Sequence, residues 1–178
     1  MHYAVGVLSF LIGMLAGFAL PDWDLRLGPL THRSIVTHGL LWPLLFFWIA
    51  RRWPRTASRT FAMGLSLASA IHLSFDLFPQ AWTGFALIHI PLLGRTPALF
   101  SWLWIAASVV ACMYFALSLV NGLFEMTLAT GSLLVAFGYY TVQEGLVWGP
   151  LAALVVSTAV ALVLPHRRRK PSRSLPYG

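Results

Sequence analysis

The chain has 178 residues, of which 58% are hydrophobic and 10% are charged, and its mean hydropathy is +0.77. Soluble domains carry about a quarter charged residues, so this composition excludes an ordinary soluble globular protein and predicts an integral membrane protein. The net charge of +7 does not indicate nucleic-acid binding, because the basic residues cluster in two short segments beside apolar runs, a pattern typical of membrane topology.

Six apolar runs follow one another, and we interpret each as a helix able to cross about 30 Å of hydrocarbon. The first run lacks the Lys or Arg of a signal peptide, so we expect a retained helix. The helices are expected at residues 3–20, 35–50, 60–78, 100–120, 123–141 and 146–164. The predicted fold is all-α, a polytopic membrane bundle of about six transmembrane helices forming one domain over residues 1–165, followed by a basic cytoplasmic tail over residues 166–178.

The basic residues predict the orientation. Four arginines lie within residues 51–59 and five Lys or Arg residues within the tail, and only Arg26, Arg33 and Arg95 lie elsewhere. Cytoplasmic loops are enriched in Lys and Arg, and six spans place both basic segments on the same side. We therefore expect both termini in the cytoplasm of a multi-pass protein of a bacterial-type inner (plasma) membrane.

The opposite, outer face is expected to carry a lid. Residues 79–97 are apolar but too short and too rich in Pro and Gly to cross the membrane, so we interpret them as an interfacial or re-entrant segment. Several tryptophans, including Trp104, are expected near this face, because indoles favour the headgroup region.

The same topology gathers acidic and histidine side chains at the outer face. The first helix ends just before two aspartates, the following loop and the second helix each carry a histidine, and the third helix carries a His and an Asp four residues apart on one face. These six candidate ligands are Asp22, Asp24, His32, His38, His72 and Asp76.

Such groups are costly in hydrocarbon, where a central Asp costs about 2.5–3.5 kcal/mol, and a divalent metal ion would compensate. Mixed His and Asp ligands suit zinc best, and manganese or iron are alternatives. Arg33, with Arg26, could clamp a phosphate or another anionic group. Glu144, in the outer connection between the last two helices, could act as a base or support the ligands, and His89 could be a further ligand or substrate contact.

Structural roles explain parts of this pattern equally well. His72 and Asp76 could form a hydrogen bond that ties helices together, and Asp22 and Asp24 could form a turn with Asx hydrogen bonds. The whole set could be a structural polar cluster without a ligand. Glu125 is expected near the cytoplasmic end of the fifth helix, away from the others.

Three polar motifs carry a family resemblance. The stretches "LPDWD", "HRSIVTHGLL" and "HLSFDLFP", followed by a G-x-x-L-x-x-x-P pattern and Arg95, resemble the YdjM-like inner-membrane metal-dependent hydrolase family, also called DUF457. The resemblance covers about residues 8–97. It implies that the six candidate ligands bind the metal, with Arg33 and Thr37 as companions in the motif. Gly39 stands where the family pattern has serine.

These observations lead to two hypotheses of different class. The first is a membrane-embedded metal-dependent hydrolase that acts on a lipid or lipid-linked ester, with a phosphoester preferred, at the outer leaflet, because the site is walled by hydrocarbon and flanked by arginines. The second is a non-catalytic accessory or structural subunit of a larger membrane complex that retains the same scaffold. Membrane lipid is an expected partner under both hypotheses, and nucleic acid is not.

Overall fold

The protein is an all-α bundle of six helices in a computed structural model that describes residues 2–26, 30, 32–78, 87–145 and 147–164. A short 3-10 helix, Pro21–Leu25, follows the first α-helix. The six α-helices are α1 His2–Ala19, α2 Leu41–Arg52, α3 Thr56–Asp76, α4 Ala98–Leu119, α5 Leu123–Glu144 and α6 Trp148–Val163. The all-α fold class and the helix count predicted from the sequence are confirmed.

The second helix begins later than predicted. The prediction started it at residue 35, but residues 35–40 form turns and bends, and α2 has only 12 residues. Pro43 explains the difference, because proline has no N–H to donate and is tolerated only in the first turn of a helix. His38 therefore lies in the segment before α2, rather than one turn inside it.

Helix α3 is the centre of the bundle and contacts each of the other five α-helices. Its residues from Ala62 to Phe75 are all buried. Glycines bring α1 and α3 into backbone contact: a Cβ added at Gly13 would collide with the Phe61 carbonyl, and one at Gly64 with the Phe10 carbonyl. Small residues allow such close helix packing. The pairing of α1 with α3 thus positions the chain that follows α1 beside the end of α3.

A small β-hairpin precedes α4. Strand β1, His89–Ile90, pairs antiparallel with β2, Gly94–Arg95. β1 also forms a bridge with Ser34, in which the Ile35 N–H donates to the His89 carbonyl and the His89 N–H donates to the Arg33 carbonyl, each at 2.9 Å. The hairpin thereby fixes the segment before α2. Residues 79–86, the first part of the predicted lid, lie outside the described residues.

The described helices differ in how well they suit a membrane. Only α4 among them is both long and apolar enough to cross one, with a mean hydropathy of 1.9, and α1 and α6 are apolar but shorter. The prediction of six membrane-crossing helices is not supported by length, since α2 is too short. The predicted basic tail begins beyond residue 164 and lies outside the described part of the chain.

Candidate metal centre

The 3-10 helix after α1 separates the two aspartates of "PDWD". A 3-10 helix has three residues per turn, so Pro21 and Asp24 share one face, and both are buried. Asp22 is exposed, but one of its carboxylate oxygens lies within 4.8 Å of ring nitrogens of His38 and His72. The two carboxylates are thus presented differently, although only one residue separates them.

Asp24 holds the segment before α2 in place. Its Oδ2 accepts hydrogen bonds from the Ser34 N–H and the Thr37 hydroxyl, each at 2.9 Å, and lies 3.1 Å from His38 Nδ1. Burial opposes ionisation of this carboxyl, but the hydrogen bonds from His38, Ser34 and Thr37 outweigh it and hold the pKa of Asp24 well below its ordinary value. Asp24 is therefore a charged and buried anchor for three residues.

The segment 32–40 owes its shape to short polar side chains. The Thr37 and His38 N–H groups both donate to the Ser34 carbonyl, at 3.0 and 2.8 Å, and close a turn. Arg33 has a φ of 63°, a left-handed conformation that costs about 1–3 kcal/mol in a residue with a side chain. The Asp24 contacts and the hairpin bridge maintain this strained backbone conformation. The Arg33 side chain reaches α3, where Nη2 donates to Asp76 Oδ1 at 3.2 Å.

His38 is completely buried, and its two ring nitrogens face different groups. We assign the ring proton to Nδ1, because Nδ1 lies beside the charged Asp24 carboxylate. Nε2 then carries a lone pair and lies 3.9 Å from Asp76 Oδ2. The Trp104 indole fixes the backbone at this residue by donating to the His38 carbonyl at 3.0 Å. A carboxylate that orients a histidine in this way is a common arrangement behind metal ligands.

The end of α3 supplies the opposite wall. His72 Nε2 lies 3.4 Å from Asp76 Oδ2, in an i,i+4 pair on one helical face. The other ring nitrogen, His72 Nδ1, is 3.0 Å from the Tyr140 hydroxyl on α5. Residues of α3, α5 and the segment before α2 therefore meet here.

The geometry leaves ligand atoms without hydrogen bonds. Within the described residues, His38 Nε2 and Asp76 Oδ2 are buried and have no hydrogen-bond partner. Two trios place one ligand atom of each member within 4.8 Å of the others: Asp22, His38 and His72 form one, and Asp24, His32 and His38 form the other. The first trio fits a metal better, because the second would compete with three hydrogen bonds already made by Asp24.

We call the six residues Asp22, Asp24, His32, His38, His72 and Asp76 the His–Asp cluster. His32 is its most loosely held histidine, with a side chain 36% exposed and Nδ1 3.6 Å from Asp24 Oδ1. All six candidate ligands thus gather at one end of the bundle. Groups of Asp and His residues able to hold a metal ion are present, as predicted.

Other predicted site residues stand apart from the cluster. Glu144 is exposed at the end of α5, and no hydrogen bond or ion pair among the described residues joins it to the cluster. The His89 backbone holds the segment before α2, but its ring makes no described contact with the six side chains. Arg26 and Arg95 are exposed. Roles for these residues in the site remain predictions.

Two contributors were not predicted. Tyr140 appears in the sequence as one aromatic residue in an apolar helix, and Trp104 was expected at the headgroup region rather than against His38. Gly39 is linked to Trp104, since a Cβ at Gly39 would lie 2.6 Å from the indole Nε1. Gly39 therefore makes room for the indole that donates to the His38 carbonyl.

No protein-family model, curated protein or solved structure matches this chain. The resemblance to the YdjM-like family stays a prediction.

Proposed function

We propose that this chain is a membrane-embedded, metal-dependent hydrolase that acts on a lipid or lipid-linked ester. The observation that supports it most is the pair of buried atoms, His38 Nε2 and Asp76 Oδ2, which lie 3.9 Å apart and have no hydrogen-bond partner among the described residues. Buried polar atoms are normally paired, and His72 Nε2 lies 3.4 Å from the same Asp76 oxygen, so two imidazole nitrogens face one carboxylate oxygen. A cation satisfies a lone pair and a carboxylate oxygen together.

A membrane location is supported by where the polar residues lie. Ser66, Ser69 and Ser74 of α3 are buried in the centre of the bundle. Large apolar side chains cover the outside instead, among them Leu8 and Leu15 of α1, Val135 and Val142 of α5, and Val155 and Val163 of α6. A surface this apolar is costly in water and is matched by lipid. We propose a multi-pass protein of a bacterial-type inner membrane, with the His–Asp cluster at the outer leaflet.

The residues fit a divalent metal. His38 and His72 would bind it through Nε2, with Asp76 and Asp22 as carboxylate ligands, a set that suits zinc and also admits manganese or iron. Such a metal, when bound, supplies Lewis-acid polarisation of an ester and activation of water. Asp24 orients the His38 imidazole through its Nδ1, and Tyr140 orients the His72 imidazole through its Nδ1, on the side of each ring opposite the proposed metal.

Arg33 gives the site its preference for an anionic substrate. Its guanidinium is buried beside Asp76, where a positive charge stabilises negative charge that develops on an attacked ester or phosphoester. A phosphoester is the substrate that benefits most, because arginine binds phosphate oxygens in a bidentate manner.

Metal content tests this proposal. We expect the full chain, purified from membranes in detergent, to carry zinc, manganese or iron in stoichiometric amount by plasma mass spectrometry. His38→Ala and Asp76→Ala should abolish it, while His166→Ala, a histidine of the predicted cytoplasmic tail, should retain it. Metal-dependent hydrolysis of phospholipid in vesicles, with the released fatty acid, headgroup or phosphorylated headgroup identified by mass spectrometry, should follow the same order.

The accessory-subunit hypothesis predicts a different result. Under it, the purified chain contains no metal and copurifies with a larger membrane assembly, and His38→Ala changes neither property. That result would contradict the hydrolase proposal.

A further inference from the structure

An apolar groove separates α1 from α5, both of which pack on α3. Its volume is about 760 Å³, within the range of about 300–1,000 Å³ that is typical of ligand sites. Leu11, Met14 and Phe18 line it on α1, and Gly131, Val135 and Tyr140 line it on α5.

The groove ends at Tyr140, one side chain away from the His–Asp cluster. Its last aromatic pair is Phe18 and Tyr140, whose ring centroids lie 5.3 Å apart. Tyr140 belongs to both places, because its ring lines the groove and its hydroxyl lies 3.0 Å from His72 Nδ1. A molecule that lies along the groove therefore has one end beside the candidate metal ligands.

The walls suit a long apolar chain. On α5 the groove runs from Thr127 to Tyr140, about 20 Å at 1.5 Å per residue, which exceeds one leaflet of a hydrocarbon core about 30 Å thick. The Thr127 hydroxyl donates back to the Leu123 carbonyl and offers no proton to the groove. Gly131 adds depth, because a Cβ placed there would meet no atom within 4 Å.

We propose that the groove binds one acyl chain of a glycerophospholipid and so places the ester or phosphate of that lipid at the His–Asp cluster. The inference rests on the proposed function for the fate of the lipid, but the binding itself is a property of α1 and α5. The occupant is a lipid chain because the groove is lined mainly by apolar side chains, with Thr127 and Ser132 as minor polar parts of its wall, and Tyr139 and Tyr140 stand at the end nearest the cluster.

Photolabelling in vesicles tests the groove. The full chain is reconstituted in phosphatidylethanolamine and phosphatidylglycerol with a trace of phosphatidylethanolamine bearing a diazirine on one acyl chain, irradiated, and mapped by peptide mass spectrometry. Residues 11–18 and 127–140 should carry about tenfold more label than the equally apolar exposed face of α6 around Val155.

Two variants fill the groove and one serves as the matched control. Val135→Trp and Gly131→Trp should remove most of the excess label, whereas Val155→Trp on α6 should leave it unchanged. Gly131→Trp provides a second test if Val135→Trp does not fold, since Gly131 faces open space. Equal labelling of α5 and α6 would overturn the proposal, as would a groove that excludes label because a second copy of the chain occupies it.

Metal analysis of the same samples separates this inference from the proposed function. Selective labelling without bound metal supports the groove and contradicts the hydrolase. Stoichiometric metal with equal labelling of both faces contradicts the groove and leaves the hydrolase in place.

Discussion

Two polar centres lie at opposite ends of α3, and they differ in how completely their atoms are paired. Near its start, Arg59 and Glu125 form a two-pronged ion pair, with both nitrogen–oxygen distances 2.5 Å. The Arg59 guanidinium also donates to the Leu119 carbonyl, and Glu125 accepts from the Asn121 N–H. About 25 Å away, at 1.5 Å per residue, the His–Asp cluster leaves His38 Nε2 and Asp76 Oδ2 without hydrogen bonds among the described residues.

The difference separates a structural contact from a candidate ligand site. The Arg59–Glu125 pair joins α3 to α5 and balances its own charge, so it needs no further partner. The His–Asp cluster contains three aspartates, and Arg33 forms an ion pair with one of them, Asp76. At the His–Asp cluster, a buried imidazole nitrogen and a carboxylate oxygen face each other without hydrogen bonds among the described residues, whereas the Arg59–Glu125 pair is fully hydrogen-bonded.

The largest expected effect comes from breaking the structural pair. Glu125→Ala leaves the partly buried Arg59 without its carboxylate and should lower the free energy of unfolding by about 3 kcal/mol. Denaturant unfolding in detergent, followed by circular dichroism, measures this. Metal content should stay at the wild-type level, and a loss of metal would show that the two ends of α3 are not independent.

A smaller effect is expected when the His–Asp cluster loses the support behind His38. Asp24→Asn keeps the size of the side chain but removes its charge and one acceptor oxygen, and should weaken metal binding by about 10–100-fold. Competition with a coloured zinc chelator measures the affinity. Complete loss, equal to that of His38→Ala, would identify Asp24 as a direct ligand instead.

The smallest effect is expected at the link between the cluster and α5. Tyr140→Phe removes one hydrogen bond to His72, worth about 1 kcal/mol, and should weaken zinc binding about fivefold. Tyr139→Phe is the matched control, since Tyr139 is the exposed neighbour on the same helix. An equal change in both variants would exclude a specific role for the Tyr140 hydroxyl.

The sequence predicted the helices well because apolar length and Pro or Gly punctuation determine them. The predicted start of α2 is too early, because the segment 35–40 is largely apolar and hides the boundary. Pro43 and the hydrogen bonds to Asp24 prevent this segment from joining the helix. The hairpin at His89 could not be predicted, since its strands have two residues each and show no periodicity.

At the candidate site, the sequence identified the polar residues but not their contacts. Charges stand out in an apolar chain, so the six side chains were found. Which aspartate is buried depends on a single turn of 3-10 helix, and the partners Tyr140 and Trp104 come from distant helices. The Arg59–Glu125 pair could not be predicted, because 66 residues separate its members and no local pattern links them.

The glycine contact between α1 and α3 fixes the position of one helix relative to the other, and thereby the geometry of the His–Asp cluster. Asp22 and Asp24 follow the end of α1, while His72 and Asp76 belong to α3. The position of α1 along α3 therefore sets the distance between these two pairs of side chains. A methyl group added at Gly64, about 12 Å along α3 from His72, would force the two backbones apart. The close backbone contact between α1 and α3 therefore sets the distance between the aspartates that follow α1 and the ligands on α3, although it touches none of them.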